Sequence, residues 1–518
     1  MIPETLSLIT SDGVRLDADV YRPEGGGDYP VLLMRQPYGR KIASTVVYAH
    51  PAWGARQGYM VVIQDVRGRG SSEGEFRLFE HEAQDGWETV NWCAQLPGST
   101  GEVGMYGFSY QGMTQLYAAS RRPPALKTLC PAMCVRDPYS QWAYEGGALC
   151  LENNLTWALQ LSAETARRRG ERQRYRQLRA LAQQPPFEQP QLALELDPES
   201  FLHRWLAHGD GDPYWQGLRP DLTGVDLPML HIGGWGDPYV RGTLDLFRWM
   251  GQHTEAVQQL WVGPWGHLPW GRRLGQVDYG PQAVSPIDEI QIRWFDHILK
   301  GKPWPYQQPV HLFVLGSQSW QDFPNWPEGE GQVFYLQSQG LAAIQGGSLS
   351  LQPGAEAEDV WVHDPWRPVP SVAPATDRSA LDCRGDVLTY ETEPLPEPRL
   401  LVGCPSVLLW VRADQPSFDL SVTLSQVDPQ GRVLPLSQGY GRFSQAPQTL
   451  TLSPIAVQLA QGWRLRLSLS ASAFPAYPVN DGQGSLLPEW MDLPIITLVC
   501  ATGSRYPAQL TIPTGSPG

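Results

Sequence analysis

A serine held between glycines at the end of an apolar run can act as a nucleophile, and Gly104-Met105-Tyr106-Gly107-Phe108-Ser109-Tyr110-Gln111-Gly112 has that form. Where strand gives way to helix in a sharp turn, only small neighbours permit the strained backbone, and the serine hydroxyl then projects into a cleft above the sheet. The pattern departs from G-x-S-x-G, because the second glycine falls at Gly112 and Gln111 takes its place. An ordinary Gly/Ser turn at a strand end is the alternative. Acyl transfer through Ser109 needs a base and an orienting acid, and in elbow enzymes these follow the serine in the order acid, then histidine. Of ten histidines, His267 opens a loop after a short buried strand, Leu260 to Val262, for which Gly263-Pro264 reads as the break. Upstream, Pro228 to Gly234 reads as another buried strand, and Trp235-Gly236-Asp237 leads from it into a helical pattern over Val240 to Met250. Asp237 occupies the acid's place. Singly, Asp237 reads equally well as a helix N-cap beside Pro238, and His267 as a loop histidine bonded to a carbonyl. Jointly, three strand-end residues in the required order make Ser109, Asp237 and His267 the expected triad.

These residues converge only if their strands share one edge of a parallel sheet. The pattern supplies one. Leu6 to Tyr21 reads as an opening hairpin around Ser11-Asp12-Gly13, and Val31 to Arg35 and Tyr59 to Gln64 as buried strands. A helix over Ala83 to Gln95, the strand Val103 to Tyr106, a helix over Gly112 to Ser120 and a strand over Leu126 to Cys130 continue the alternation of a doubly covered α/β sheet. From Tyr139 to about Leu222 the chain turns helical and rich in Arg, Gln, Leu and Trp, as an inserted cap able to cover the cleft. The sheet then resumes and ends with a helix over Pro286 to Lys300. From about Val310 onward, short alternating runs separated by Gly, Pro, Asp and Ser predict an antiparallel sandwich. The expected division is an α/β-hydrolase core at 1–138 and 223–330, a helical cap at 139–222 and a β-sandwich at 331–518. Residues 303–345 fit either neighbour.

Several segments together resemble the CocE/NonD serine hydrolases, which include cocaine esterase and α-amino acid ester hydrolases and are related to the X-Pro dipeptidyl peptidases. They are Arg35-Gln36-Pro37-Tyr38, Gln64-Asp65-Val66-Arg67-Gly68 with Ser72-Glu73-Gly74-Glu75-Phe76, the elbow, Gly233-Gly234-Trp235 with Asp237, and Gly263-Pro264-Trp265-Gly266-His267. Asp386 to Tyr390 and Ser472-Ala473-Phe474-Pro475 extend the likeness toward the C-terminus. The resemblance implies Ser109 as nucleophile, Asp237 as acid and His267 as base, with an oxyanion hole formed by the Tyr38 hydroxyl and the backbone N–H of Tyr110. It also implies that the C-terminal sandwich is a jelly roll. Donors aimed at the tetrahedral oxygen stabilise charge that develops only in the transition state. The α-amino acid ester hydrolases carry a carboxylate cluster, part of it just after the catalytic aspartate. Here Pro238-Tyr239-Val240-Arg241 follows, with no acid, which weakens the amino acid ester reading and leaves Glu145 or another cap acid as the open alternative for that role.

The expected activity is hydrolysis of a small ester or amide through a Ser-His-Asp acyl-enzyme, without metal or organic cofactor. An X-Pro dipeptidyl peptidase acting on short peptides is the alternative, and a non-catalytic carbohydrate-binding protein a further one. Trp142, Tyr139, Tyr144 and Trp157 from the cap, with Trp235 and Trp270 from the core, are candidates for an apolar substrate pocket, although most aromatics are simply core. Asp65 and Arg67 read as a charge pair bracing the loop after the fourth strand. That glycine-rich loop lacks the Lys-Ser/Thr of a phosphate cradle.

The net charge of −14 argues against nucleic acid as a partner, and the arginines from Arg167 to Arg179 recur at helical spacing as on a solvated face. No stretch approaches the roughly 18 apolar residues of a membrane span, and the start carries no basic and apolar leader, so no membrane and a cytoplasmic location are expected. Seven cysteines without metal-ligand spacing suit reduced, mostly buried thiols. Homodimerisation through the cap or the sandwich is open.

Overall fold

The computed structural model describes residues 2–41, 45–327 and 331–513. Its centre is a ten-stranded sheet. A hairpin of β1 (Glu4–Ile9) and β2 (Arg15–Tyr21) leads into β3 (Tyr29–Gln36), followed by α1 (Pro51–Arg56), β4 (Met60–Asp65), α2 (Glu82–Ala94), β5 (Ser99–Phe108), α3 (Tyr110–Ser120) and β6 (Leu126–Ala132). Strands β3 and β4 are apolar runs buried on both faces, as strands covered by helices on each side must be.

The cap then intervenes. A short hairpin of β7 (Tyr144–Glu145) and β8 (Ala148–Leu149) precedes α4 (Leu151–Arg168), α5 (Arg172–Gln183), α6 (Gln191–Leu196), α7 (Phe201–Ala207) and α8 (Pro213–Leu218). Helix α4 is amphipathic, and its buried face (Leu155, Ala158, Leu159, Ala166) joins the same apolar cluster as Val103 of β5 and Met113 and Leu116 of α3. Cap and core therefore share one hydrophobic interior.

The sheet resumes with β9 (Met229–Gly236), α9 (Val240–His253), β10 (Gln258–Gly266), the small ribbon of β11 (Arg273–Leu274) and β12 (Val277–Asp278), α10 (Ile287–Lys300), β13 (Val310–Val314) and β14 (Ser319–Phe323). Helix α10 stops at Gly301, whose φ of 65° suits a residue without a Cβ. Strand order is β1-β2-β4-β3-β5-β6-β9-β10-β13-β14, parallel from β4 through β13 and antiparallel at both edges. The C-terminal ends of β5, β9 and β10 thus face the same cleft.

The remaining chain forms a β-sandwich. A nine-stranded sheet and a three-stranded sheet of Ala357–His363, Val411–Ala413 and Ile496–Thr502 enclose one apolar core containing Phe334, Trp361, Leu420, Leu467 and Leu498. It docks on the first sheet through backbone bonds, Leu315 N–H to Ala456 O at 2.9 Å and Gln458 N–H to Leu315 O at 2.7 Å. The ten-stranded sheet claims residues 310–323 of the ambiguous stretch and the sandwich claims 331–337; the expected junction at 330 falls on residues outside those described.

Two sequence expectations are corrected. Gly263-Pro264 does not end its strand, because β10 runs on to Gly266 through a register shift between Gly263 and Gly266. A bulge leaves a residue out of the ladder, so a proline without an N–H is tolerated there. Asp65 and Arg67 do not pair with each other. Asp65 binds Arg40, at 2.5 Å to Nη1, whereas Arg67 forks between Asp85 and Asp12. Both still brace the loop after β4, each against a different element.

Candidate active site

Ser109 links β5 to α3 with φ 60° and ψ −125°, a left-handed conformation that a non-glycine residue holds only under constraint. Its neighbours explain the constraint. A Cβ on Gly107 would lie 2.5 Å from Gln111 Cβ, and one on Gly112 would lie 2.8 Å from Cys134 Cβ and 2.9 Å from the Ala132 carbonyl. Gly112 is therefore the glycine that lets α3 pack against β6. Gln111, in the motif's glycine position, folds back so that its Oε1 accepts from the Phe108 N–H at 3.3 Å. One turn on, Gln115 Nε2 donates to the Gly107 carbonyl at 3.0 Å, and its Oε1 accepts from the Cys130 N–H at 3.0 Å. The Ser109 N–H itself is tied to Ala132 O at 2.9 Å. Sequence reasoning found the serine but not this pair of glutamines, whose i, i+4 spacing on the helix after the nucleophile was the available signal.

Asp237 and His267 meet across the ends of β9 and β10, with His267 Nδ1 2.7 Å from Asp237 Oδ1. The second Asp237 oxygen accepts from the Tyr239 N–H at 3.2 Å. Asp237 is buried, and that burial pushes its carboxyl above the usual carboxylate range while the His267 contact opposes the shift. The imidazole lies between the rings of Phe108 and Tyr239, at 5.4 and 5.2 Å, and Trp270 Nε1 donates to its backbone carbonyl at 3.2 Å.

Tyr38 follows β3, its N–H held by Gln36 Oε1 at 2.8 Å. Its hydroxyl accepts from Trp157 Nε1 at 3.1 Å, and Tyr38 lines the same cavity as Ser109. Enclosure pushes the phenol up to about 12, which keeps it protonated and able to donate. Tyr110 is the first residue of α3, so its backbone N–H has no partner within the helix and opens beside Ser109. The Tyr110 side chain points the other way, into the core, where its hydroxyl donates to Glu82 Oε1 at 2.7 Å.

Tyr38, Ser109, Asp237 and His267 line a single cavity of about 1490 Å³. Trp142, Tyr144, Trp157 and Trp235 are among its lining residues. Trp270 is not: it is buried behind Phe108, stacked on Trp265 at 5.6 Å, where it braces His267 rather than meeting substrate. Tyr139 is likewise outside the lining, packed on Tyr144 and Trp215. The far wall comes from the sandwich, with Gln438, Tyr440, Ser453 and Tyr477 among the lining residues. Glu145 stands on that side, bound by Arg241 at 2.8 Å, the Tyr440 N–H at 3.2 Å and the Tyr477 hydroxyl.

A parallel sheet whose strand ends carry a left-handed serine, a buried acid and a histidine in that chain order defines an α/β-hydrolase of the serine type. Comparison with known families agrees. The X-Pro dipeptidyl-peptidase (S15 family) model matches residues 12–269, and that of the X-Pro dipeptidyl-peptidase C-terminal non-catalytic domain matches 304–489. Cocaine esterase of Rhodococcus sp. is 31% identical, over 97% of this chain and 96% of that protein. The structure is similar to that of an aminopeptidase from a marine sediment Thaumarchaeota archaeon (TM-score 0.86, 22% identity, 100% of this chain and 97% of that one). It is also similar to an α-amino acid ester hydrolase (TM-score 0.85, 23% identity, 99% and 96%). The chain belongs to the CocE/NonD serine hydrolases, the cocaine esterase-like group allied to the S15 peptidases. It is a hydrolase acting on small molecules. Among the described residues, no helix is long and apolar enough to cross a membrane.

Proposed function

We propose that the chain cleaves carboxylic esters through an acyl-enzyme on Ser109. His267, held by Asp237 in the tautomer with its proton on Nδ1, takes the Ser109 proton as Oγ attacks the substrate carbonyl carbon. The carbonyl π pair moves onto oxygen, and the Tyr38 hydroxyl and the Tyr110 N–H receive that charge. His267 returns the proton to the departing alcohol. Water, activated by the same imidazole, then releases the acid. The observation that carries the reading is the 2.7 Å His267–Asp237 contact opening onto the cavity that holds Ser109 and Tyr38.

Ester rather than X-Pro peptide as preferred substrate is supported by Glu145. A dipeptidyl peptidase needs a carboxylate to hold the substrate ammonium. Here Arg241, in the segment after Asp237 that carries no acid, already neutralises Glu145. The second reading, cleavage of substrates with a free amine, has one feature in its favour: Glu152 on α4 lines the cavity, with no ion-pair partner among the described residues, and desolvation raises its pKa. The cap at 139–222 and the sandwich from 331 act in this proposal as two walls of the cleft around the core. Seven free cysteines support a reducing, cytoplasmic setting.

The test is turnover of p-nitrophenyl acetate and butyrate beside Ala-Pro p-nitroanilide, for the native chain and Ser109→Ala. Ester hydrolysis that disappears in the variant supports the proposal. Preferential anilide cleavage moves the assignment to a peptidase. Absence of both turnover and fluorophosphonate labelling overturns it in favour of a binding protein.

A further inference from the structure

We propose that Arg69 supplies a buried positive field that stabilises the oxyanion formed above Ser109, although it touches neither substrate nor serine. The inference rests on the acyl-enzyme reading above. Asp65 at the end of β4 and Arg67 and Arg69 in the loop after it differ in their partners. Asp65 and Arg67 are each matched by an opposite charge, whereas Arg69 makes no ion pair among the described residues. It is 1% exposed. Its Nη1 donates to the Leu161 carbonyl at 3.1 Å, its Cζ sits 3.8 Å from the centre of the Phe76 ring, and its Nε has no partner among the described residues. A guanidinium taken out of water without a carboxylate is costly, and an aliphatic side chain would fill the same space more cheaply. A cation retained under those terms points to its charge as the useful property.

Its surroundings say what that charge acts on. Phe76, under the guanidinium, lies 6.1 Å from the Tyr110 ring. Leu161, which accepts its hydrogen bond, is one turn along α4 from Trp157, whose indole holds the Tyr38 hydroxyl. Arg69 thus sits behind the Trp157–Tyr38 pair, and its charge acts on the Tyr38 phenol against the effect of burial. The titratable groups facing it from α4 are Glu164 and Arg168. Glu164 is already engaged in a fork with Arg167, and Arg168 adds a like charge while donating to the Ser72 carbonyl. Burial lowers Arg69 to about 10, so it stays charged at neutral pH. In a dry site a fixed cation stabilises charge appearing on the carbonyl oxygen more than it stabilises the neutral ester, so it acts on the transition state and not on substrate binding. Arg69 is a positioning and field-setting residue in this scheme.

The experiment compares Arg69→Gln, which retains a donor for Leu161 but no charge, with Arg69→Lys, which retains the charge. Readouts are p-nitrophenyl butyrate kinetics, melting temperature, and affinity for an arylboronic acid, whose tetrahedral adduct on Ser109 is anionic. Affinity is measured by protection against fluorophosphonate labelling, so it does not depend on ester turnover. The expected result for R69Q is a kcat lower by about 10-fold to 100-fold at unchanged KM, with boronate affinity weakened by the same factor. R69K stays within about 3-fold of the native chain. Equal losses in the two variants, or a loss confined to KM with boronate affinity intact, overturn the proposal. Should R69Q not fold, Arg69→Met, neutral and of similar length, takes its place. A native chain that labels at Ser109 but turns over no ester overturns the ester assignment alone, and the boronate comparison still decides the role of Arg69. One that does not label overturns both.

Discussion

The indole N–H of Trp157 donates to the Tyr38 hydroxyl at 3.1 Å, joining the cap to the core at the oxygen placed to receive the oxyanion. Because the phenol accepts from the indole, its own proton is free to point toward Ser109. The bond spans 119 residues of sequence and fixes the rotor of a group that would otherwise turn.

Tyr38→Phe removes the donor and keeps the ring. Its expected effect is a kcat lower by roughly 10²–10³-fold with KM nearly unchanged, because the lost bond forms in the transition state. Trp157→Phe leaves the donor but releases it, so the loss is smaller than that of Y38F, and the double variant is no worse than Y38F alone. Steady-state kinetics of the three variants checks this.

Asp237→Asn presents an amide N–H to His267 Nδ1 and so favours the wrong tautomer. It should cost on the order of 10⁴-fold in kcat. In the native chain kcat/KM falls on acidification, since only a neutral imidazole can take the serine proton. Steady-state kinetics of the variant checks the first expectation, and a loss below about 10-fold would contradict the role of Asp237 in holding the imidazole.

Arg35 Nη1 and Glu82 Oε2 are 2.6 Å apart with both side chains buried, beneath the Tyr110 hydroxyl. Glu82→Gln leaves the Arg35 guanidinium uncompensated and is expected to destabilise the fold by about 3–5 kcal/mol. Denaturant titration followed at the hydrolase domain measures it. A loss below about 1 kcal/mol would mean that water or another group replaces the carboxylate.

His231 on β9 is fully buried, its Nε2 2.8 Å from Gln258 Oε1, and burial lowers it from the ordinary 6.5 to about 4. His311 and His363 are lowered for the same reason. The unfolded chain therefore binds protons first as pH falls. Stability present above about pH 6.5 is lost progressively down to about pH 4, by about 3 kcal/mol for His231 alone. His231→Gln should flatten that part of the melting temperature against pH curve, and an unchanged slope would refute the assignment.

Local features carried the sequence reading furthest. The glycines around Ser109, the apolar strand runs and the strand-end positions of Asp237 and His267 are each written within a few neighbouring residues, and the hydrolase fold follows from their alternation. What was not legible depends on groups distant in sequence. Asp65 beside Arg67 looks like a pair because charge proximity in sequence is all a sequence offers, yet Asp65 pairs with Arg40 and Arg67 with Asp85 and Asp12. Trp270 looked like a pocket residue because indoles often are, and only packing on Trp265 and Phe108 reveals it as a brace. The neutralisation of Glu145 by Arg241 joins the cap to α9 and likewise has no local trace.

The cavity wall opposite the serine is drawn from segments made well after the core sheet. The ten-stranded sheet is complete once residue 323 has emerged, but Gln438, Tyr440 and Tyr477 come more than a hundred residues later. The sandwich that carries them is closed by Gln509–Pro513, which pairs with both Gly331–Gln337 and Ser406–Leu409. Since domains fold largely as units during synthesis, the nascent hydrolase half assembles its nucleophile while one side of the cleft is still open to water. The sandwich side of the cleft is thus finished only after Gln509–Pro513 has paired, and a chain cut before Gln509 leaves Ser109 beside a wall whose supporting sheet lacks a strand.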